Sequence, residues 1–272
     1  MRIVRVAVGM AGLLYGLVVL AAWAGQRHLV YAPDPRKMSP SSVGLDGVDE
    51  RWIEAPDGAR VVAWFGPPRS GQPTLLYYHG NGGNLALRSE RIRRFMAQGW
   101  GVYMMSYRGY SGSGGVPSEA DNISDAERAQ KDLLSTGIRA QDIVIYGESL
   151  GTGVATRVAL GAPVGGLILD APFTSIVDVG AARYPMLPVN WLLEHRYETI
   201  RVIGQVRMPL LVVHGEADRI VPVEMGRKVF QAAVRAAEPK RLVTLPGAGH
   251  ANHMRFGSFE AIVAFINDVR MR

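Results

Sequence analysis

Ser149 stands between Gly147 and Gly151 in "DIVIYGESLGTGVATRVAL", where an apolar run gives way to small residues. A serine hydroxyl attacks a carbonyl only when a base takes its proton and a third group orients that base. Both residue types follow in the chain. Asp218 lies in "VVHGEADRIVP" and His250 in "LPGAGHANH". The order Ser, Asp, His is one of the orders in which acyl-transfer sites are assembled. G-x-S-x-G is by itself a weak pattern, and a serine in a glycine-rich loop satisfies it equally. Two further residues compete for the partner roles. Asp170 ends "GGLILD", and His253 follows His250 by three positions.

Acyl transfer also needs two N–H donors for the oxyanion. One is expected from Leu150, the residue after the nucleophile. The second is expected from Asn81 in "HGNGGN", where Gly80, Gly82 and Gly83 allow the backbone to approach a substrate. No GK[S/T] follows this loop, so it does not read as a phosphate cradle. His79 and His214 sit at strand ends and read as structural hydrogen-bonding groups.

These residues need a frame. "RWIEA" (51–55) and "RVVAWFG" (60–66) flank the turn signal "PDG". Strands are predicted at 74–79, 100–107, 142–147, 165–170, 209–215 and 241–246, mostly as continuous apolar runs suited to burial on both faces. Helices are predicted at about 85–98, 119–136, 150–160, 223–237 and 257–270. Strand–helix alternation predicts an α/β fold with a mostly parallel central sheet and helices on both faces. G-x-S-x-G then falls at a strand-to-helix junction, and Asp218 and His250 fall just beyond two later strands. All three therefore belong to the carboxyl edge of one sheet, where open α/β sheets bind ligands. The long interruption at 171–208 reads as a lid. Its Phe173, Tyr184 and Trp191, with Met186, Leu187 and Leu192, are candidate substrate contacts.

The N-terminus differs from the rest. Val6 to Gly25 holds no charged residue, about 20 residues and enough to span a bilayer core as a helix. A membrane anchor over 1–27 and a signal peptide cleaved near "AWA" (22–24) both fit, the run being longer than the about 7–15 residues of a signal core. An anchored chain is expected to place residues 49–272 outside the cytoplasm, joined by a linker at 28–48. A cleaved one would be secreted. The chain contains no Cys, which excludes disulfides, thiolate catalysis and Cys-ligated metal sites. The net charge of +6 is dispersed, and the densest cluster, "RSERIRRF" (88–95), reads as the solvated face of a helix. Nucleic acid is not an expected partner.

The motifs "YYHGNGGN", "YRGYSGSGGVPSE", "YGESLGTGVA", "LDAPFTS", "LVVHGEADRIVP" and "LPGAGHANH" run in one order along nearly the whole chain after the anchor. In them the sequence resembles the α/β-hydrolase superfamily, and more narrowly its membrane-anchored, serine aminopeptidase-like group. The resemblance implies Ser149 as nucleophile, Asp218 as acid, His250 as base and Asn81 as an oxyanion donor, with no cofactor and no metal. Where many relatives carry "GHND", this chain has "GHAN" at 249–252. The reading that follows is a serine hydrolase of a carboxylic ester or thioester with an apolar acyl part. Peptide cleavage, another reaction on the same fold, and a tethered binding module remain as alternatives.

Overall fold

The computed structural model describes residues 1–161 and 163–271. Among these, eight strands form one sheet: β1 Asp49–Glu54, β2 Arg60–Gly66, β3 Thr74–Tyr78, β4 Gly101–Met105, β5 Ile143–Glu148, β6 Gly166–Asp170, β7 Leu210–Gly215 and β8 Lys240–Leu245. Their spatial order is β8-β7-β6-β5-β3-β4-β2-β1. β2 runs antiparallel to both neighbours, and every other pairing beyond β1–β2 is parallel. The central strands β3, β4 and β6 are buried at every position, which is why their sequences read as unbroken apolar runs.

Alternation along each strand splits the core in two. Leu76, Tyr78, Ile145 and Leu169 pack one face together with α3 (Glu119–Ser135), α4 (Leu150–Gly161) and α8 (Val223–Ala232). Leu75, Tyr77, Tyr146 and Ile168 pack the other, against α2 (Ser89–Ala97) and α9 (Ser258–Arg270). The predicted helix at 85–98 begins as a 3-10 turn over Leu85–Arg88, capped by the Asn84 side chain. The predicted helix at 223–237 stops at Ala232. Beyond it Val234 is 76% exposed and offers the core nothing to bury.

The N-terminal helix α1 spans Arg2–Val30, about 43 Å at 1.5 Å per residue. Most of its apolar side chains are exposed, but its last turns enter the fold, with Gln26 and Val30 buried and Tyr31 buried just beyond. Residues 28–48 are bound tightly to the domain. Ala32–Pro33 pairs in parallel with Gly82–Gly83, and Leu45 and Val48 are buried. The 171–208 insertion folds as α5 (Ile176–Arg183), α6 (Val189–Leu192) and α7 (Thr199–Val202).

Register places the carboxyl ends of the strands level with one another. Tyr78 pairs with Gly147, Glu148 with Asp170, Asp170 with Val213 and Gly215 with Leu245. At this edge α4 starts directly behind β3. A Cβ on Gly151 would lie 2.0 Å from the Tyr78 carbonyl oxygen, and one on Gly147 would lie 2.5 Å from the Gly151 carbonyl oxygen. Both obstacles are backbone. Gly151→Ala should therefore cost more than the about 1–3 kcal/mol of an ordinary overpacked site. Urea unfolding of the purified variant checks this, with a wild-type midpoint as the contrary result.

Candidate active site

Ser149 follows β5 and opens α4. It adopts φ 50°, in the left-handed region that a side chain rarely enters. Its N–H donates to the Asp170 carbonyl at 2.8 Å, and the Thr152 hydroxyl donates to its carbonyl at 2.6 Å. The flanking glycines supply room, while the strained φ belongs to the serine itself. This turn lifts Ser149 Oγ out of the sheet edge to 2.8 Å from His250 Nε2. The other ring nitrogen, Nδ1, lies 2.7 Å from Asp218 Oδ2. A carboxylate only accepts, so Nδ1 carries the proton and the Nε2 lone pair faces the serine hydroxyl.

Asp218 is fixed from several sides. Its Oδ1 accepts the N–H groups of Ile220 at 2.8 Å and Val221 at 2.9 Å, and His214 Nε2 lies 3.5 Å from Oδ2. Burial pushes its carboxyl up. The nearby His214 ring and the hydrogen bonds from His250 and the Val221 N–H outweigh that and hold it well below the ordinary carboxylate range. His214 also donates to the Val221 carbonyl at 2.9 Å, and His79 donates to the Gly80 carbonyl at 2.6 Å, both structural bonds.

The rival residues pair with each other. His253 Nδ1 sits 2.5 Å from Asp170 Oδ1, while its Nε2 accepts the Gly215 N–H at 3.1 Å. Asp170 also accepts from the Tyr146 hydroxyl and lies 3.5 Å from Arg91. Burial raises the Asp170 carboxyl, but His253, Arg91 and Tyr146 bring it down to about 2. Arg91 further faces Glu148 at 3.4 Å and donates to the Tyr77 hydroxyl at 2.5 Å, and Tyr77 in turn donates to Glu148. A buried charged network therefore lies directly beneath the Ser149 turn. This corrects the expectation for "RSERIRRF". Arg93 is exposed, but Arg88 and Arg91 are nearly buried, with side chains 11% and 14% exposed. A single stretch of helix carries both faces, and its arginines looked alike in sequence.

Among the described residues, neither the Asn81 N–H nor the Leu150 N–H has a hydrogen-bond acceptor, and both residues line the cavity that contains Ser149. The Asn81 side chain is committed elsewhere. It donates to the Val30 carbonyl at the end of α1 at 3.2 Å, while its own carbonyl accepts the Ala32 N–H and the Tyr110 hydroxyl.

The cavity measures about 240 Å³ and is mostly apolar. Phe173 and Tyr184 line it, as do Leu187 and Leu192. Trp191 does not. It is 91% exposed on the outside of α6. At 100° per residue, Val189, Leu192 and Leu193 share the inward face of this one-turn helix and Trp191 falls opposite. Met186 is likewise 80% exposed. Ala22, Gln26, Leu29 and Val30 of α1 also line the cavity, a contribution that the sequence reading did not include. Among the described residues no group of His, Asp and Glu is arranged to hold a metal ion.

The strand order, the turn after β5 and the loops at the carboxyl edge define an α/β hydrolase. Residues 70–206 match the serine aminopeptidase S33 family model, and the chain belongs to that family. It is 37% identical over 246 residues to the uncharacterised protein Rv2307c of Mycobacterium tuberculosis, covering 89% of this chain and 86% of that one. It is 31% identical over 261 residues to the Arabidopsis thaliana α/β hydrolase domain-containing protein WAV2, covering 86% and 83%. The zebrafish (Danio rerio) lysophosphatidylserine lipase ABHD12 is 30% identical over 206 residues, covering 68% of this chain and 53% of the lipase. In fold, the Pyrococcus furiosus esterase Pf2001 superposes with a TM-score of 0.69 at 18% identity, covering 88% and 98%. The chain is a hydrolase of the α/β fold.

The two histidines separate by experiment. His250→Ala should lower hydrolysis by about six orders of magnitude with a smaller fall in the urea midpoint, because Asp218 keeps the Ile220 and Val221 N–H groups. His253→Ala removes one of three partners of Asp170, leaving Tyr146 and Arg91, and frees the Gly215 N–H, and should cost about 1–3 kcal/mol of stability. Equal effects of the two variants on rate and on midpoint would contradict this division.

Proposed function

We propose that this hydrolase is a serine esterase or thioesterase working through an acyl-enzyme. The observation that carries the reading is the run of two short hydrogen bonds, 2.8 Å from Ser149 to His250 and 2.7 Å from His250 to Asp218. His250 Nε2 takes the hydroxyl proton as Ser149 Oγ attacks the acyl carbonyl. Asp218 holds the ring's tautomer and stabilises the imidazolium. The free N–H groups of Asn81 and Leu150 receive the oxyanion as it develops. The imidazolium then protonates the departing alkoxide or thiolate. Water repeats the sequence on the acyl-enzyme and frees the acid. No cofactor enters any step.

An ester or thioester suits the cavity better than a peptide. Its described lining contains no Asp or Glu to pair with an N-terminal ammonium, and its one charged side chain is Arg183. The apolar remainder suits an acyl chain. The 30% identity to a lysophosphatidylserine lipase supports the same reading. Ser149→Ala should abolish both p-nitrophenyl ester hydrolysis and labelling by a fluorophosphonate probe. Labelling that persists in this variant overturns the assignment.

The same reading takes α1 as a membrane anchor with the hydrolase domain outside the cytoplasm. The support is its length and the exposure of its apolar side chains from Ile3 to Leu20. Protease added to intact spheroplasts should digest the domain. A protected domain reverses the orientation.

A further inference from the structure

α1 does more than precede the domain. Ala22, Gln26, Leu29 and Val30 line the cavity that holds Ser149. Their spacing, i, i+4, i+7 and i+8, is one face of a helix. The facing wall comes from the insertion, through Ile176, Val179 and Leu187 among others. Two hydrogen bonds fasten the walls together. Gln26 Oε1 accepts the Glu194 N–H at 2.8 Å, and the Tyr15 hydroxyl donates to the Met186 carbonyl at 2.8 Å.

Tyr15 lies about 10 Å further along the helix than Ala22. The insertion therefore follows α1 well into its apolar stretch. There the side chains of Leu13, Leu14, Leu17 and Leu20 are exposed, and so are Met186 and Trp191 at the insertion's tip. Hydrocarbon is the environment that such a surface suits, and within it the Tyr15 hydroxyl satisfies a backbone carbonyl that no water could reach. The cavity, about 240 Å³, lies below the about 300–1,000 Å³ usual for ligand sites. It has room for part of one acyl chain at a time.

We propose that the last turns of α1 form one wall of the acyl subsite, and that the substrate is an acyl ester, one chain of which enters from the bilayer alongside α1. The carbonyl reaches Ser149 while the far end of the chain stays among the lipids. This rests on the esterase reading above.

The test uses the full chain in vesicles of diether phosphatidylcholine, which offer no ester of their own. Hydrolysis of p-nitrophenyl palmitate and p-nitrophenyl butyrate is measured as a ratio of kcat/KM. Ala22→Phe and Leu29→Phe narrow the subsite and should lower the palmitate-to-butyrate ratio at least about tenfold. Leu20→Phe, outside the cavity, should leave the ratio at the wild-type value. A ratio unchanged in both cavity variants overturns the assignment of the wall. Palmitate ester loaded into the enzyme's own vesicles should be cleaved faster than the same ester in separate vesicles, and equal rates overturn entry from the bilayer. Wild-type protein that labels with fluorophosphonate but fails these comparisons defeats this inference alone. Wild-type protein that neither labels nor cleaves either ester defeats the esterase reading and this one with it.

Discussion

The close approach of α4 to the end of β3 is the constraint on which the site depends. The Tyr78 carbonyl occupies the space that a Gly151 side chain would need. With the helix this near, the chain leaving β5 must reverse within one residue, and that residue is Ser149 with its positive φ. The same contact sets the Leu150 N–H beside the loop that carries Asn81. The strained Ser149 turn and the free Leu150 N–H thus arise from a single steric condition. The strain is local, of the order of 1–3 kcal/mol, and is held by the surrounding sheet.

A second layer keeps that turn in place. Glu148, Arg91, Tyr77, Tyr146, Asp170 and His253 form a continuous buried network under it. Burying such charges is costly, and stability alone would favour apolar replacements of similar volume. Their connectivity shows what they hold. Glu148 precedes Ser149, the Asp170 carbonyl receives the Ser149 N–H, and His253 receives the N–H of Gly215 at the end of β7. Two His–Asp pairs therefore stand side by side with different work. One faces the cavity through Ser149. The other ties three strand ends together.

Much of this architecture was legible in the sequence because strands buried on both faces leave unbroken apolar runs. The eight strands fall within about two residues of their predicted limits. The positions of Ser149, Asp218 and His250 just after β5, β7 and β8 also sufficed to bring them to one edge. Their pairing was less legible. Asp170 and Asp218, or His250 and His253, differ in which neighbouring strand end each faces, and that is a matter of register between segments far apart in the chain. Arg91 was misread for a related reason, since its partners sit on β3, β5 and β6. Trp191 was misplaced because composition identified an apolar insertion, while the direction of each side chain depended on the phase of a one-turn helix.

The least legible part was α1. An apolar run of bilayer length carries so strong a signal of its own that its last two turns read as the end of an anchor. In the folded chain those turns are structural parts of the domain. Tyr31 shares a hydrogen bond with Tyr197 of the insertion, and Arg27 reaches the Pro117 carbonyl. The Val30 carbonyl, left without a partner by the end of the helix, receives the Asn81 side chain. The loop expected to hold the oxyanion is thus braced by the helix expected to hold the membrane. Asn81 touches the helix directly, whereas Ser149 is held by β5 and β6. The position of α1 and the geometry of the Asn81 loop are therefore one mechanical problem in this chain.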